Sequence, residues 1–465
     1  MNSEFQSLPP ETQEAVKRTM DTMEPAQTPA EIRETLEGTQ KGGVKNSIRN
    51  CLTVFQRDPL FRGALRLNLL TEQIDIVKPL GWERTSTTLT DMDMNYLLLY
   101  LEENYGLTSE KKVQSAIKIV ANENRYHPVR DYLNSLQWDG TERIRYALHH
   151  FLGADTDEYT YEVLKLFLIG AIRRVFRPGS KFEGMLCLVG GQGAGKSTFF
   201  RLLAGRDEWF SDDLKKLDDE NVYRKLQGHW IIEMSEMIAT ANAKSIEEIK
   251  SFLSRQKETY KVPYETHPAD RLRQCVFGGT TNRQDFLPRD RTGNRRFLPV
   301  TVYPERAEVH ILDDEAAARA YIEQMWAEAM TVYRSGKYKL SFSMEMNRYL
   351  NAHQQDFMQE DTQAGMIYAY LEDYTGDRVC SKQLYEEALG NLNSPADWET
   401  RAICEIMNTG IAGGIIQGWV AYKSPKRYKK YGSQKGWERV NQAPPEGDGF
   451  QEITEEEARQ MELPF

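Results

Sequence analysis

Short apolar runs separated by helix-like stretches mark the middle of the chain. Between residues 160 and 303 the runs MLCLVG, HWIIEM and CVFGGTTN each end in glycine or polar residues. Runs of this length are too short for buried helices and are typical of inner strands covered on both faces. This part of the chain is therefore predicted to be an α/β core.

Helical periodicity dominates on both sides of these runs. Ahead of them, SIRNCLTVFQRD, DMDMNYLLLYLEENYG and KKVQSAIKIVANEN predict helices, and ALRLNLLTEQIDIV predicts short strands. After them, residues 312–335 predict a long amphipathic helix with acidic residues at its start and Gly336 beyond its end. Two or three further helices and Gly-containing short strands follow, and this order indicates a winged-helix-like module.

Breaks in composition set the predicted domain boundaries. The chain divides into a polar N-terminal arm (1–43), a mainly helical accessory domain (44–155), the α/β core (156–338), a winged-helix-like domain (339–442) and an acidic tail (443–465). The tail is expected to be flexible, because it is acidic and poor in apolar residues.

Composition and charge exclude several classes of protein. A formal net charge of −10 argues against a chain that coats nucleic acid over its whole surface, because phosphate binding requires clustered Lys and Arg. The five cysteines are scattered without a C-x-x-C pair, so neither a disulfide framework nor a structural zinc site is predicted. The sequence contains no long apolar run and no export signal. We expect a cytoplasmic protein without membrane contact.

The segment LVGGQGAGKSTFF, residues 188–200, carries the strongest chemical signal. It fits G-x-x-x-x-G-K-[ST] between an apolar run and a helix-like stretch, which is the context of a phosphate-binding loop. In such a loop the lysine, here Lys196, neutralises the β and γ oxygens, and the next hydroxyl, Ser197, ligates Mg²⁺. ATP and Mg²⁺ are the predicted cofactors. The predicted ATP-binding residues are Gly190, Gly191, Gln192, Gly193, Ala194, Gly195, Lys196, Ser197 and Thr198.

The run HWIIEMSEM places two carboxylates after an apolar strand. One glutamate at the end of a neighbouring strand can hold the water shell of the metal, and a second can orient and deprotonate the attacking water. We assign metal support to Glu233 and water activation to Glu236, and the pattern also allows the reverse. The alternative is a pair of solvated glutamates at a strand end.

Polar residues after the next apolar run extend this site. Asn282 ends CVFGGTTN and is predicted to place an amide beside the γ-phosphate, with a simple turn residue as the alternative. The segment RDRTGNRRFLPV then carries Arg289, Arg291, Arg295 and Arg296. Arg295 and Arg296 are predicted to reach the nucleotide of an adjacent subunit and to stabilise transition-state charge. This predicts a ring, whereas the alternative is a basic surface loop.

A basic stretch near the C-terminus, YKSPKRYKKYGSQKGWERV, concentrates seven positive charges among four aromatic rings. In an acidic protein such a cluster is a local footprint for phosphate. Lys426, Arg427, Lys429 and Lys430 are the predicted contacts with duplex or origin DNA. A charged, solvated surface without a partner is the alternative.

The last residues, EEEARQMELPF, contain a candidate partner motif. Gln460, Leu463 and Phe465 fit the Q-x-x-L-x-F spacing of peptides that dock on the bacterial sliding clamp, and an acidic end in Pro-Phe is also similar to the tip of single-stranded-DNA-binding proteins. Either mode would insert exposed apolar side chains into a pocket of a host replication protein. A tail without a partner is the alternative.

Six segments, taken in order, resemble the virulence-associated protein E family of phage and satellite-island replication helicases over residues 125–303. They are HPVRDYLNSLQWDGTERI, GGQGAGKST, HWIIEMSEM, KSFLSRQKETYKVPYE, GGTTN and TGNRRFLPV. The resemblance implies a superfamily 3 helicase with an AAA+-type core, which is a hexamer that moves on DNA, usually 3′ to 5′. Related members often carry a primase domain ahead of the motor. Because no metal-binding carboxylate set is evident there, we predict no primer synthesis.

The resemblance also implies a hairpin that points into the central channel of the ring. On that basis Lys250, Lys257, Tyr260 and Lys261 are predicted to contact single-stranded or forked DNA, with a solvated helix and loop as the alternative. Two other functions remain open: an ATP-dependent switch that binds DNA without separating strands, and a small-molecule kinase. The acidic strand, Asn282 and the arginines argue against the kinase.

Overall fold

The computed structural model describes residues 27–214, 217, 222–235, 243–260, 269–287, 294–358 and 361–440. Two compact units divide the chain at 359/360, whereas the sequence placed a boundary at 338/339. Gln354 shows why the first unit extends further. Its amide donates to the carbonyl oxygens of Asn294 and Phe297, at 2.8 and 2.6 Å, and so ties the residues after 339 to the core.

The N-terminal part of the first unit packs helices around a short hairpin. Its elements are α1 (Pro29–Glu34), α2 (Ile48–Arg57), β1 (Leu65–Asn68), β2 (Gln73–Ile76), α3 (Asp91–Tyr105) and α4 (Glu110–Glu123). Strands β1 and β2 are antiparallel, with Leu65 opposite Ile76. Thr90 and Asp93 form the capping box that begins α3, and Gly106 ends this helix in the left-handed region. The helices and short strands predicted in this part of the chain are confirmed.

A parallel sheet of five strands lies at the centre of the core. The strands of the core are β3 (Met185–Val189), β4 (Phe210–Ser211), β5 (Ile231–Ser235), β6 (Lys257–Tyr260), β7 (Ala269–Leu272), β8 (Val276–Thr281) and β9 (Phe297–Thr301). The order in the sheet is β4-β5-β8-β3-β9, while β6 and β7 form a separate antiparallel hairpin.

Both faces of this sheet are buried, which confirms the α/β core. Leu186 and Leu188 of β3 pack into one hydrophobic cluster, and Met185 and Cys187 pack into another on the opposite face. The apolar pattern predicted β3, β5 and β8. It missed β4, which has two residues, and β9, which contains Pro299 and so lacks one backbone donor.

Helices cover the sheet, and one of them is hydrogen-bonded to the helix that follows the glycine-rich loop. The helices are α5 (Pro128–Ser135), α6 (Ala147–Leu152), α7 (Glu158–Phe176), α8 (Lys196–Leu203), α9 (Val222–Leu226), α10 (Ala243–Ser254), α11 (Glu315–Ser335) and α12 (Met344–His353). Asp314 caps α11 and Gly336 ends it, which confirms the predicted long helix. Trp326 of α11 donates to the carbonyl oxygen of Leu203 at the end of α8, at 2.9 Å. None of the helices in the described ranges has the length and apolar character needed to cross a bilayer.

The second unit combines helices with short antiparallel strands. Its elements are α13 (Thr362–Asp373), β10 (Arg378–Cys380), α14 (Ser381–Gln383) with a π-helical turn (Leu384–Ala388), α15 (Asp397–Ala412), β11 (Trp419–Ala421), β12 (Lys426–Tyr428), β13 (Gly432–Gln434) and β14 (Gly436–Arg439). Strands β10, β14 and β11 form one sheet in that order, and β12 pairs with β13 as a hairpin.

Candidate functional site

The glycine-rich loop connects β3 to α8 in a conformation that requires glycine. Gly193 and Gly195 have φ values of +81° and +77°. A Cβ on Gly195 would lie 2.5 Å from Cγ2 of Ile311, and a Cβ on Gly190 would lie 2.6 Å from a neighbouring methyl group. Gly195 is also the N-cap of α8 and offers no side-chain cap. The loop therefore holds the backbone N–H groups at the start of α8 in the geometry that suits an anion.

The ammonium group of Lys196 lies at the mouth of this loop. Its Nζ donates to the carbonyl oxygens of Gly190 and Gly191, at 2.7 and 2.6 Å, and to Oδ1 of Asn282, at 2.9 Å. Burial lowers the pKa of Lys196, and the nearby charge of Glu233 opposes this shift. All three acceptors are neutral, so the hydrogen bonds orient the ammonium group without cancelling its charge.

The carboxylate of Glu233 faces the first turn of α8. Its Oε1 accepts from Oγ of Ser197, at 2.7 Å, and from the hydroxyl of Thr280. Its Oε2 is buried and has no hydrogen-bond partner among the described residues. Burial raises the pKa of Glu233, while both hydroxyl donors lower it. A buried carboxylate with an unused oxygen beside a serine hydroxyl fits a hydrated divalent cation.

The strand order corrects one detail of the sequence prediction. Glu233 was expected at the end of a strand next to the strand of the loop, but β8 lies between β5 and β3. Glu233 is also the third residue of β5 rather than its last. Asn282 directly follows β8, and this central position places its amide between the loop and the acidic strand. Thr280, which sequence reasoning missed, also lies on β8, and the only signal for it is the polar end of GGTTN.

Arg295 and Arg296 lie at the end of the sheet where β3 and β9 begin, opposite the end that carries the loop. The carbonyl oxygen of Arg296 accepts from the N–H of Met185 at the start of β3, whereas the loop follows the end of that strand. Arg296 Nε donates to Ser254 Oγ, at 2.9 Å, and to Glu183 Oε2, at 3.3 Å. The side chain of Arg295 is 64% exposed and that of Arg296 is 20% exposed. Neither arginine approaches the loop of its own chain.

The predicted DNA-contacting residues of the core differ in exposure. Lys257 is exposed on β6, where it pairs with Asp270 of β7. Lys250 is buried on α10 with its Nζ 3.2 Å from Glu247 Oε1, so the structure does not present it to DNA as predicted. Tyr260 ends β6. The predictions for Glu236, Arg289, Arg291 and Lys261 concern positions outside the described residues.

The basic cluster of the second unit lies on the hairpin of β12 and β13 and on the segments beside it. Lys426 pairs with Glu438, and Lys430 pairs with Glu386. Arg427 and Lys429 are exposed. The candidate tail residues Gln460, Leu463 and Phe465 lie outside the part of the chain that the structure describes.

Comparisons with known proteins give one family match and several solved structures. Residues 133–359 match the model of the virulence-associated protein E-like domain. The A form apo structure of the NrS-1 C-terminal region is 13% identical with a TM-score of 0.46, over 81% of this chain and 96% of that one. Two further apo structures of that region are also 13% identical, with TM-scores of 0.42 and 0.44, over 81% of this chain and 95% and 96% of theirs. No curated protein matches this sequence.

Proposed function

Since the chain belongs to the virulence-associated protein E-like family through residues 133–359, we propose that it is an ATP-dependent DNA helicase acting in the replication of a phage or another mobile element. The observation that carries the proposal is two hydrogen-bonded pairs of side chains beside the loop. Lys196 contacts Asn282, and Ser197 contacts Glu233. A cation, an amide, a hydroxyl and a carboxylate in this arrangement are the groups that cleavage of a nucleoside triphosphate requires.

The residues present fit ATP together with Mg²⁺. When bound, Mg²⁺ supplies positive charge to the β and γ oxygens. Ser197 and Glu233 are the residues that would hold it, and the unpartnered Oε2 of Glu233 is an acceptor for its water shell. Lys196 binds phosphate oxygens, and Asn282 orients the γ-phosphate. Water activation is assigned to Glu236 on sequence grounds.

Hydrolysis is proposed to occur between subunits of a hexameric ring. Arg295 and Arg296 lie where β3 and β9 begin, at the end of the sheet opposite the loop. They therefore cannot complete the site of their own chain. Arg295 is the better candidate to enter the site of a neighbour, because its side chain is mostly exposed. Arg296 is held by Glu183 and Ser254, and it supports the segment that carries Arg295.

DNA binding is proposed for two hairpins. The β6–β7 hairpin carries the exposed Lys257, which suits contact with the phosphates of one strand. The second unit is proposed to be a winged-helix domain, because the β12–β13 hairpin lies in sequence between the sheet strands β11 and β14. Arg427 and Lys429 on that wing are proposed to bind duplex phosphates.

Unwinding of a forked duplex tests the proposal. The wild-type protein with ATP and Mg²⁺ is expected to separate the strands, and removal of each single-stranded tail in turn gives the direction of travel. Lys196→Ala is expected to abolish hydrolysis and unwinding while leaving the circular dichroism spectrum unchanged. DNA-stimulated hydrolysis without strand separation would support the ATP-dependent switch instead. Full activity of Lys196→Ala would contradict the nucleotide site.

A further inference from the structure

Glu72 lies in a strained turn between β1 and β2 and points to the candidate DNA hairpin. Among the described residues it is the only one other than glycine with a positive φ, +56°. For a residue with a Cβ this conformation is strained. The Glu72 carboxylate forms an ion pair with Arg271 of β7, and both side chains are mostly buried, at 30% and 17% exposure. The contact thus joins the N-terminal part of the chain to the β6–β7 hairpin.

The backbone of the same turn contacts the segments that enter two strands of the site. The carbonyl oxygen of Leu69 accepts from Nε2 of Gln274, at 2.8 Å, and that of Leu70 accepts from the N–H of Gly228, at 3.2 Å. Gln274 lies between the hairpin and β8, and Gly228 lies shortly before β5. A third bond runs from the Gln227 side chain to the next carbonyl of the turn. The turn therefore contacts the chain ahead of both strands that form the Glu233 site.

The base of the hairpin is also held by the core itself. Arg273, just after β7, pairs with Glu258 of β6, and both are buried. The guanidinium of Arg273 lies 4.6 Å from the ring centre of Phe252. The hairpin base is thus fixed by two sets of contacts, this buried pair and the turn of residues 69–72. The second support comes from a part of the chain to which no chemistry is assigned.

We infer that the turn of residues 69–72 is a positioning element for the β6–β7 hairpin, and that Glu72 sets the affinity of the hairpin for DNA through Arg271. The inference rests on the proposed function for its DNA readout. The N-terminal part of the chain then keeps the hairpin in a fixed position relative to β5 and β8 while nucleotide is hydrolysed at the other ends of these strands. On this inference Glu72 is a positioning residue, since it acts through its ion pair with Arg271.

Hydrogen–deuterium exchange and DNA-stimulated hydrolysis test this inference. In Glu72→Gln, exchange in residues 256–260 and 269–273 is expected to increase, because the ion pair with Arg271 is lost. Half-maximal stimulation of hydrolysis is expected to need about fivefold more single-stranded oligonucleotide, with unchanged hydrolysis in the absence of DNA. Glu103→Gln, at an exposed position on α3, is the matched control and is expected to behave as wild type.

Two further variants separate positioning from folding. Glu72→Gly relieves the positive φ but removes the carboxylate, so it is expected to keep the wild-type melting temperature and still lose the hairpin's protection. The double variant Glu72→Arg with Arg271→Glu is expected to restore protection. Wild-type exchange in Glu72→Gln, or no restoration in the double variant, would overturn the inference. Because exchange is measured without DNA, this result is independent of whether the wild-type protein proves to be a helicase.

Discussion

Oγ of Ser197 lies 2.7 Å from Oε1 of Glu233, although 36 positions separate the two residues in the chain. The hydroxyl belongs to the first turn of α8, and the carboxylate belongs to β5, on the far side of β8. Thr280 of β8 donates to the same oxygen, so the contact spans three neighbouring elements. The arrangement brings a hydroxyl and a carboxylate together where a divalent cation can be held.

Glu233→Gln is expected to lower ATP hydrolysis by about 100-fold or more, because a neutral amide cannot stabilise the charge of the metal and its water shell. Nucleotide binding, measured by titration with a fluorescent ATP analogue, is expected to fall much less. Glu103→Gln again serves as control. Hydrolysis at the wild-type rate in Glu233→Gln would remove this residue from the site.

Substitution of two glycines of the loop by alanine is expected to change stability by very different amounts. Gly195→Ala meets both a positive φ and Cγ2 of Ile311, so it is expected to lower the free energy of unfolding by about 2 kcal/mol and to abolish ATP binding. Gly191→Ala meets open space and is expected to change stability by less than about 0.5 kcal/mol. Urea denaturation measures both. Equal losses would show that the loop is not constrained by Ile311.

Subunit mixing is expected to distinguish Arg295 from Arg296. Arg295→Ala should abolish hydrolysis without a change in melting temperature, because its side chain is mostly exposed. Arg296→Ala should also lower the free energy of unfolding, by about 1 kcal/mol, because it removes the hydrogen bonds from Nε of Arg296 to Ser254 and Glu183. Mixtures of Arg295→Ala with Lys196→Ala are expected to regain hydrolysis. Absence of any recovery would contradict a site shared between subunits.

Adjacent lysines of the second unit offer a matched pair for DNA binding. Lys429→Ala is expected to weaken binding to duplex DNA and to reduce the slope of log affinity against log salt by about 1, as for the loss of one phosphate contact. Lys430→Ala should have a smaller effect, because Glu386 already compensates its charge. Fluorescence anisotropy over a range of salt concentrations measures both slopes. If Lys429→Ala leaves the slope unchanged, the exposed charge on Lys429 does not bind phosphate.

Acid should weaken the fold through His127. Burial lowers the pKa of this imidazole from 6.5 to about 4, and its Nε2 lies 2.7 Å from Oε1 of Gln274. The unfolded chain therefore binds a proton at His127 before the folded protein does, so the stability that this residue contributes is lost as the pH falls from about 6.5 to about 4. Urea denaturation across this range is expected to show a shallower decline for His127→Gln. An unchanged decline would place the acid-sensitive group elsewhere.

The local pattern of apolar and polar residues was sufficient to predict the strands and helices with strong sequence signals. The apolar runs of β3, β5 and β8 and the caps of α11 are properties of contiguous residues, and each was predicted. Strand β9 was missed, because a proline inside a five-residue run does not suggest a strand. Lys250 was predicted to face DNA from the family resemblance and its charge, yet on α10 it is buried beside Glu247. Charge in a sequence does not report the direction of a side chain.

The glycine-rich loop, its lysine and serine, and the α/β character of the core were predicted from the amino-acid sequence, because these features depend on spacing over a few residues. The position of β8 between β3 and β5, the shared contact of Thr280 and Ser197 with Glu233, and the contact of Glu72 with Arg271 became visible in the folded chain. Strand order and docking depend on how long connections cross the sheet. Apolar periodicity records which faces are buried, but it does not record which distant segment lies against them.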